Sequence, residues 1–389
     1  TGSVREYGGD WQAPPKATDV IDPFRQTVVG VRPAGPFAPI EWRDEDLATV
    51  ERGLRAKFPR RTVEILTWSE TRNRVLFRVR GGGDPGRIFV YQRPEELVLE
   101  VLRRTPWLDA ASLHPTRAFT LAATDRPPIS GYLTVPRGQR PEAAAVVLVF
   151  PSALEPEPLV AFDPEAQALA EGGFAVVRWH RPPGTGAPGE VKAGARGMFD
   201  RETADDARAV LDHLATMVPA AGLDFRRVIA YGQGLGGYLA LRALQLEPAR
   251  FQGGVAVNAP LELRSWLRSP AAFTDAGAVD QTAATLARWL EASPVDWRHL
   301  SVVAQSERLT RPVLLLTEPA RSPAIDAALV ELRARMEQLG RSLDYAALDA
   351  GYAEGRIPSR IAMYQKIGDF IGRQTARAAA AGDGEGRVE

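Results

Sequence analysis

The chain has 389 residues, room for two domains and a large buried core. Its 48 basic and 48 acidic residues balance, so nothing argues for nucleic acid or an anionic membrane surface as partner, and none is expected. It has no cysteine, which excludes disulfides, thiolate metal sites and a cysteine nucleophile.

Residues 1 to about 24, rich in Gly, Pro and Asp, read as an irregular lead-in. The chain opens on Thr1-Gly2-Ser3 with no signal peptide and contains no apolar run long enough to span a bilayer. A mature secreted chain, a cleavage fragment and a trimmed chain would all look like this, so bacterial periplasm and cytoplasm both stay open as compartments. Short strands are expected at Thr27–Val31 and Ile40–Trp42, and a helix capped by Asp44 through Phe58, with Leu47, Val50, Leu54 and Phe58 at helical spacing. Strand-like runs follow at Val63–Trp68, Val75–Val79, Ile88–Tyr91 and Leu97–Leu102, with turn residues between them. Four successive antiparallel strands make one blade of a β-propeller. A single blade cannot close a ring, so both its faces and both its edges are expected to need cover.

From Thr105 strands and helices alternate. Strands are expected at 118–122, 131–135, 145–150, 175–179, 228–231, 254–257, 313–316 and 345–348. Helices fit between them at 164–171, 203–216, 237–247, 282–291, 323–339 and 358–373. Continuous apolar runs such as Val146-Val147-Leu148-Val149 suit a mostly parallel sheet covered on both faces. The tail from Thr375, made of Ala, Gly and charge, predicts disorder.

The most informative stretch is Arg227 to Leu244. A strand runs into Gly232-Gln233-Gly234-Leu235-Gly236-Gly237, and a helix follows from Tyr238. Strand, sharp glycine turn and helix is the layout of the nucleophile elbow of α/β-hydrolases, patterned G-x-S-x-G. The register fits at Gly232, Gly236, Gly237 and Tyr238, but Gly234 stands where the serine belongs. The same glycines also spell the G-x-G-x-x-G dinucleotide fingerprint, which offers a nucleotide-binding reading. Against it, the turn comes late in the chain, and the following strand ends in Asn258 rather than a ribose-binding acid.

Together these pieces resemble the C-terminal part of the prolyl oligopeptidase family of serine peptidases, nearest its dipeptidyl- and acylaminoacyl-peptidase-like members. Thr105–Asp109 looks like the family's link from the last blade to the hydrolase domain, and Gly131–Pro136 like its first hairpin. Phe162–Glu165 with Gly172–Val177 fits its first helix and next strand, and Ile361–Tyr364 its closing helix. The resemblance implies an α/β-hydrolase domain over 106–376 after a propeller-like remnant over 1–105, with 377–389 as tail. It also implies a Ser-His-Asp triad, whose base takes the serine proton while the acid orients the base.

Carried over position by position, the nucleophile falls on Gly234 and the base on Tyr352, within Gly351-Tyr352-Ala353. A tyrosine, with an ordinary pKa near ~10, accepts protons poorly at neutral pH. The acid should follow the strand ending near Leu316, where Glu318 is the carboxylate at hand, out of register. The family's His-Gly-Gly-Pro turn corresponds to Pro151-Ser152-Ala153-Leu154, and the Leu235 N–H stands at the oxyanion position. Ser152, Gln233, Tyr238 and Glu318 are candidate cleft residues. His114, His180, His213 and His299 are scattered without metal-ligand spacing, so neither metal nor cofactor is expected. Asp205-Asp206 reads as a helix-start pair that complements the dipole.

The expectation is therefore a pseudoenzyme of this family, acting by binding a peptide or a protein. An active peptidase or esterase using other residues, and a nucleotide-binding protein, are the alternatives. The exposed blade implies a partner: a second copy, an upstream propeller fragment or another subunit.

Overall fold

The structure is a computed structural model. It describes residues 18–32, 40–59, 61–81, 85–103, 105–109, 111–122, 128–138, 143–152, 162–180, 199–217, 222–268, 274–275, 278–279, 286, 290, 296–318 and 323–385. The first elements are β1 (Thr18–Ile21), β2 (Val28–Arg32) and β3 (Glu41–Trp42), joined as a three-stranded antiparallel sheet. The lead-in thus holds a strand where irregular chain was expected. The Asp22 carboxylate accepts from the N–H groups of Phe24 and Arg25 at 2.9 and 3.0 Å, which turns Thr18–Ile21 back onto β2.

Helix α1 (Glu45–Lys57) follows, capped by Asp44, whose carboxylate accepts from the N–H groups of Asp46 and Leu47, both at 3.1 Å. Strands β4 (Thr62–Trp68), β5 (Arg74–Arg80), β6 (Arg87–Gln92) and β7 (Leu97–Arg103) form a four-stranded antiparallel sheet in sequence order, as expected of a blade. Alternation sends Val63, Ile65, Val75, Phe77, Val79 and Phe89 to one face, where Leu47, Val50 and Leu54 of α1 meet them. One expectation is corrected here. A bare blade would leave both faces open, but this one closes a face with its own helix, because α1 carries an apolar stripe of matching length.

The rest of the chain builds an eight-stranded sheet from β8 (Thr116–Leu121), β9 (Ile129–Thr134), β10 (Ala144–Val149), β11 (Ala175–His180), β12 (Leu223–Gln233), β13 (Gly253–Val257), β16 (Val313–Thr317) and β17 (Leu343–Ala347). Spatial order is β8-β9-β11-β10-β12-β13-β16-β17, antiparallel at β8–β9 and β9–β11 and parallel elsewhere. The exchange of β10 and β11 in an otherwise sequential, mostly parallel sheet gives the α/β-hydrolase arrangement. A two-stranded ribbon, β14 (Thr274–Asp275) with β15 (Ala278–Val279), stands apart from it.

The helices around this sheet are α2 (Pro164–Glu171), α3 (Phe199–Met217), α4 (Leu235–Leu246), α5 (Leu263–Leu267), α6 (Trp297–Leu300), α7 (Pro323–Gln338), α8 (Ala350–Ala353) and α9 (Ile357–Glu385). Side chains alternate between the two faces. Val146, Leu148, Val228 and Ala230 meet α3 and α4, while Val147, Ile229, Tyr231 and Val255 meet α2 and α9. The helix expected at 282–291 lies outside the described residues except Leu286 and Leu290, both buried.

Two further expectations are corrected. The tail is not irregular from Thr375: α9 runs on to Glu385, because the alanine-rich sequence there has high helix propensity. Asp205-Asp206 does not start a helix, because α3 already begins at Phe199. No helix among the described residues is long and apolar enough to cross a membrane.

Candidate active site

In an open parallel sheet, ligand-facing positions lie beyond the C-terminal ends of the strands. Here those ends bring together Phe150–Ser152 after β10, Gln233 as the last residue of β12 with Gly234 after it, Asn258 after β13, Glu318 after β16, and the 348–353 segment after β17. The sharpest feature is the turn at Gly234, with φ 52° and ψ −125°, before the first turn of α4. Its N–H donates to the Val257 carbonyl at 2.8 Å, and its own carbonyl accepts from the Tyr238 N–H at 3.2 Å.

Glycine is forced at two neighbours. A Cβ on Gly232 would lie 2.2 Å from the Gly236 backbone, and one on Gly236 would lie 2.5 Å from the Phe150 carbonyl oxygen. This close approach lets the strand fold straight back into the helix. At Gly234, by contrast, a Cβ would meet nothing within 4 Å. The position that would carry a nucleophile is therefore sterically open. It requires only a residue that tolerates positive φ.

Leu235 follows and opens α4 directly after the turn. Ser152 is exposed just past β10, two residues beyond the Phe150 carbonyl that touches the elbow. Tyr238 departs from the expectation of a cleft residue. It is fully buried on the α3–α4 side, and its hydroxyl donates to the Leu300 carbonyl at 2.9 Å. One helical turn from the elbow, its side chain points along the core face of α4, and burial raises its hydroxyl pKa well above the ordinary value.

Gln233 faces the other side of the sheet and joins a polar cluster. Its Nε2 donates to Glu165 Oε1 at 2.6 Å and to the Tyr231 hydroxyl at 2.9 Å, while its Oε1 accepts from the Tyr352 hydroxyl at 3.2 Å. Glu165 Oε1 also accepts from the hydroxyls of Tyr231 and Tyr364, the latter at 3.1 Å. Burial pushes the Glu165 carboxyl above its usual range, and the nearby Asp163 charge acts the same way. The three donors oppose that shift without cancelling it. The cluster ties α2, β12, α8 and α9 together directly beneath the elbow.

Tyr352, standing where the base was expected, is thus brought to the elbow, with its hydroxyl on the carboxamide of Gln233. Its N–H donates to Asp349 Oδ1 at 3.1 Å, within the cap of α8. Glu318, at the acid position, accepts from Asn258 Nδ2 at 3.2 Å, and its N–H donates to Asn258 Oδ1 at 2.9 Å. Asn258 adopts φ 51°, a left-handed turn that asparagine tolerates.

Sequence reasoning placed Gly234, Leu235, Gln233, Ser152, Glu318 and Tyr352 at this end of the sheet. It missed Glu165, Tyr231 and Tyr364, whose hydrogen bonds span 66 and 199 positions, and Asn258 as the partner of Glu318. Glu165 reads in sequence as an ordinary first-turn acid, so no local signal sets it apart. A buried ion pair was missed as well: Arg242 Nε donates to Asp200 Oδ2 at 2.9 Å, and both side chains are fully enclosed between α3 and α4.

His114 and His213 serve the scaffold. His114 holds the Arg137 N–H on Nδ1 and Glu171 on Nε2, both at 2.9 Å. His213 packs beside the Phe119 ring, and His180 ends β11, where burial lowers its pKa.

Comparison with known proteins fits this geometry. The profile of the prolyl oligopeptidase family matches residues 160–317, so the resemblance drawn from the sequence is borne out across the segment that contains the elbow. No curated protein matches the chain. Among solved structures, it resembles acylaminoacyl peptidase of Pyrococcus horikoshii, with TM-score 0.60 and 18% identity over 81% of this chain and 50% of that one. It also resembles dipeptidyl peptidase 4 of Porphyromonas gingivalis, with TM-score 0.58 and 15% identity over 80% of this chain and 43% of that one. A puromycin-hydrolyzing peptidase of Mycobacterium tuberculosis gives TM-score 0.58 and 18% identity, over 78% and 47% of the two chains. The chain therefore spans about half the length of the solved structures it matches, and the likeness to them is one of fold.

Proposed function

We propose that this chain is a catalytically silent relative of the prolyl oligopeptidase-family serine peptidases, and that its strand-end cleft binds a peptide or protein segment without cleaving it. The observation that carries this reading is the elbow: it keeps its backbone form but holds Gly234 where acyl transfer needs a hydroxyl. Two further features support it. The Tyr352 hydroxyl is taken up by Gln233, and a phenol is a poor base at neutral pH. Glu318, at the acid position, is held by Asn258. An oxyanion site without a nucleophile stabilises no covalent intermediate.

The test is direct. Purified protein should turn over neither proline or alanine peptide substrates nor esters above background, and a fluorophosphonate probe should not label it. Gly234→Ser should fold, since a Cβ there has open space, yet stay inactive because the added hydroxyl has neither base nor orienting acid. Wild-type turnover at an ordinary enzymatic rate, with contaminating peptidase excluded, would overturn the proposal. The catalytic groups would then be sought among Ser152, Glu318 and Tyr352.

A further inference from the structure

Strand β7 is an edge of the four-stranded sheet and pairs with β6 alone among the described residues. Natural edge strands are usually shortened, bent away or charged, because their free N–H and C=O groups template further pairing. This one keeps Leu97, Leu99, Val101 and Leu102 between 41 and 56% exposed and contains neither proline nor lysine. Both edges carry one guarding carboxylate: Glu64 on β4 is flanked by Arg32 at 2.8 Å and Arg80 at 3.2 Å, and Glu100 on β7 by Arg87 at 3.2 Å and by Arg103. Only β7 adds a row of exposed apolar side chains to it.

Charge along β7 is ordered. The turn that enters it carries exposed Glu95 and Glu96, its middle is apolar apart from Glu100, and it leaves through Arg103, half exposed and reaching back to Glu100 with one nitrogen, so the rest of its guanidinium faces outward. An antiparallel copy of the same strand sets each acidic turn beside the other chain's Arg103 and apolar middle against apolar middle. A parallel copy would set like charge against like.

We propose that β7 pairs antiparallel with β7 of a second copy of this chain, about a twofold axis at Leu99, so that the two sheets of four strands each run on as one. Leu99 then faces its own counterpart, Leu97 faces Val101 of the other chain, and Glu95 and Glu96 reach that chain's Arg103. The self-complementary charge selects a second copy over an unrelated partner, which would have to supply the matching pattern independently. The inference rests on the N-terminal sheet and is independent of whether the cleft is catalytic.

The full chain should sediment at twice its 42.3 kDa in a concentration-dependent manner. Arg103→Glu should weaken association about tenfold or more, since the symmetry applies each lost ion pair twice. Adding Glu95→Arg and Glu96→Arg to that variant should restore it, a rescue that misfolding could not give. Because the chain has no cysteine, a single Leu99→Cys should form a chain-to-chain disulfide on mild oxidation, while Val330→Cys on exposed α7 should not. A monomer at every concentration overturns the proposal. So does a dimer indifferent to the charge variants, or a co-purifying fragment that occupies β7 in place of a second copy.

Discussion

At the scale of single residues, the glycines of the elbow are not equivalent, and their difference can be measured. Gly232 and Gly236 are fixed by contact, since a Cβ on either would lie within 2.5 Å of backbone that cannot move without opening the strand-to-helix turn. Gly234 is fixed only by its dihedral angles, with φ at 52°. A non-glycine residue held in such a region costs about 1–3 kcal/mol. Gly234→Ala should therefore fold and lose about that much stability in urea, whereas Gly232→Ala should fail to give a native far- and near-UV CD spectrum. Equal losses for the two would refute the assignment of the turn as an elbow. The strain also gives a physical reason for glycine here, because a serine bears it only where the reaction requires one. That much was legible in the sequence, since glycine spacing reports backbone geometry. The Glu165 cluster was not, because its members meet only after β12, α2, α8 and α9 have packed.

At the scale of elements, a chain of carboxylate–guanidinium contacts joins the N-terminal sheet, α1 and the β4–β5 turn. Arg72 donates to Asp22 at 3.0 Å and to Asp44, the cap of α1, at 2.8 Å, while Arg93 holds Asp46 at 2.6 Å. Burial pushes the Asp22 carboxyl up, but the Arg25 N–H, the Arg72 guanidinium and the Phe24 N–H outweigh it and bring the pKa down to about 2 from 3.8. A carboxyl depressed on folding stabilises the fold above its unfolded pKa, and that contribution fades as pH falls from about 3.8 through about 2. Asp22→Asn should therefore be less stable near neutral pH and should lose less on acidification across that window. Parallel acid-denaturation curves for the two proteins would refute the link. Helix α1 and the strands from β2 onward followed from the Asp44 cap and alternation, whereas β1 did not, because its Gly-, Pro- and Asp-rich surroundings carry no strand pattern. The closing of the blade by α1 did not, because sequence periodicity shows that a helix has an apolar face but not which surface it meets.

At the scale of the whole molecule, the buried side chains fall into separate cores. One, built from Val29, α1 and β4–β6, draws its buried residues from positions 29 to 89. The other two line the faces of the eight-stranded sheet and begin at Ile129. Units with separate cores unfold as separate cooperative blocks unless a large apolar interface couples them. Two transitions are therefore expected in calorimetry or urea, and single substitutions should assign them. Phe77→Ala removes a fully buried ring that stacks on Phe89 with centroids 5.5 Å apart, and should lower the N-terminal transition by about 3–5 kcal/mol. Arg242→Ala leaves Asp200 charged and enclosed, and should lower the hydrolase transition by a similar amount, about 3–5 kcal/mol. Each substitution should leave the other transition in place. A single transition moved by both would mean that the two parts share one cooperative unit. The β7 edge would then be stabilised by the hydrolase domain as well as by its own sheet, and dimerisation through it should raise that one transition with protein concentration.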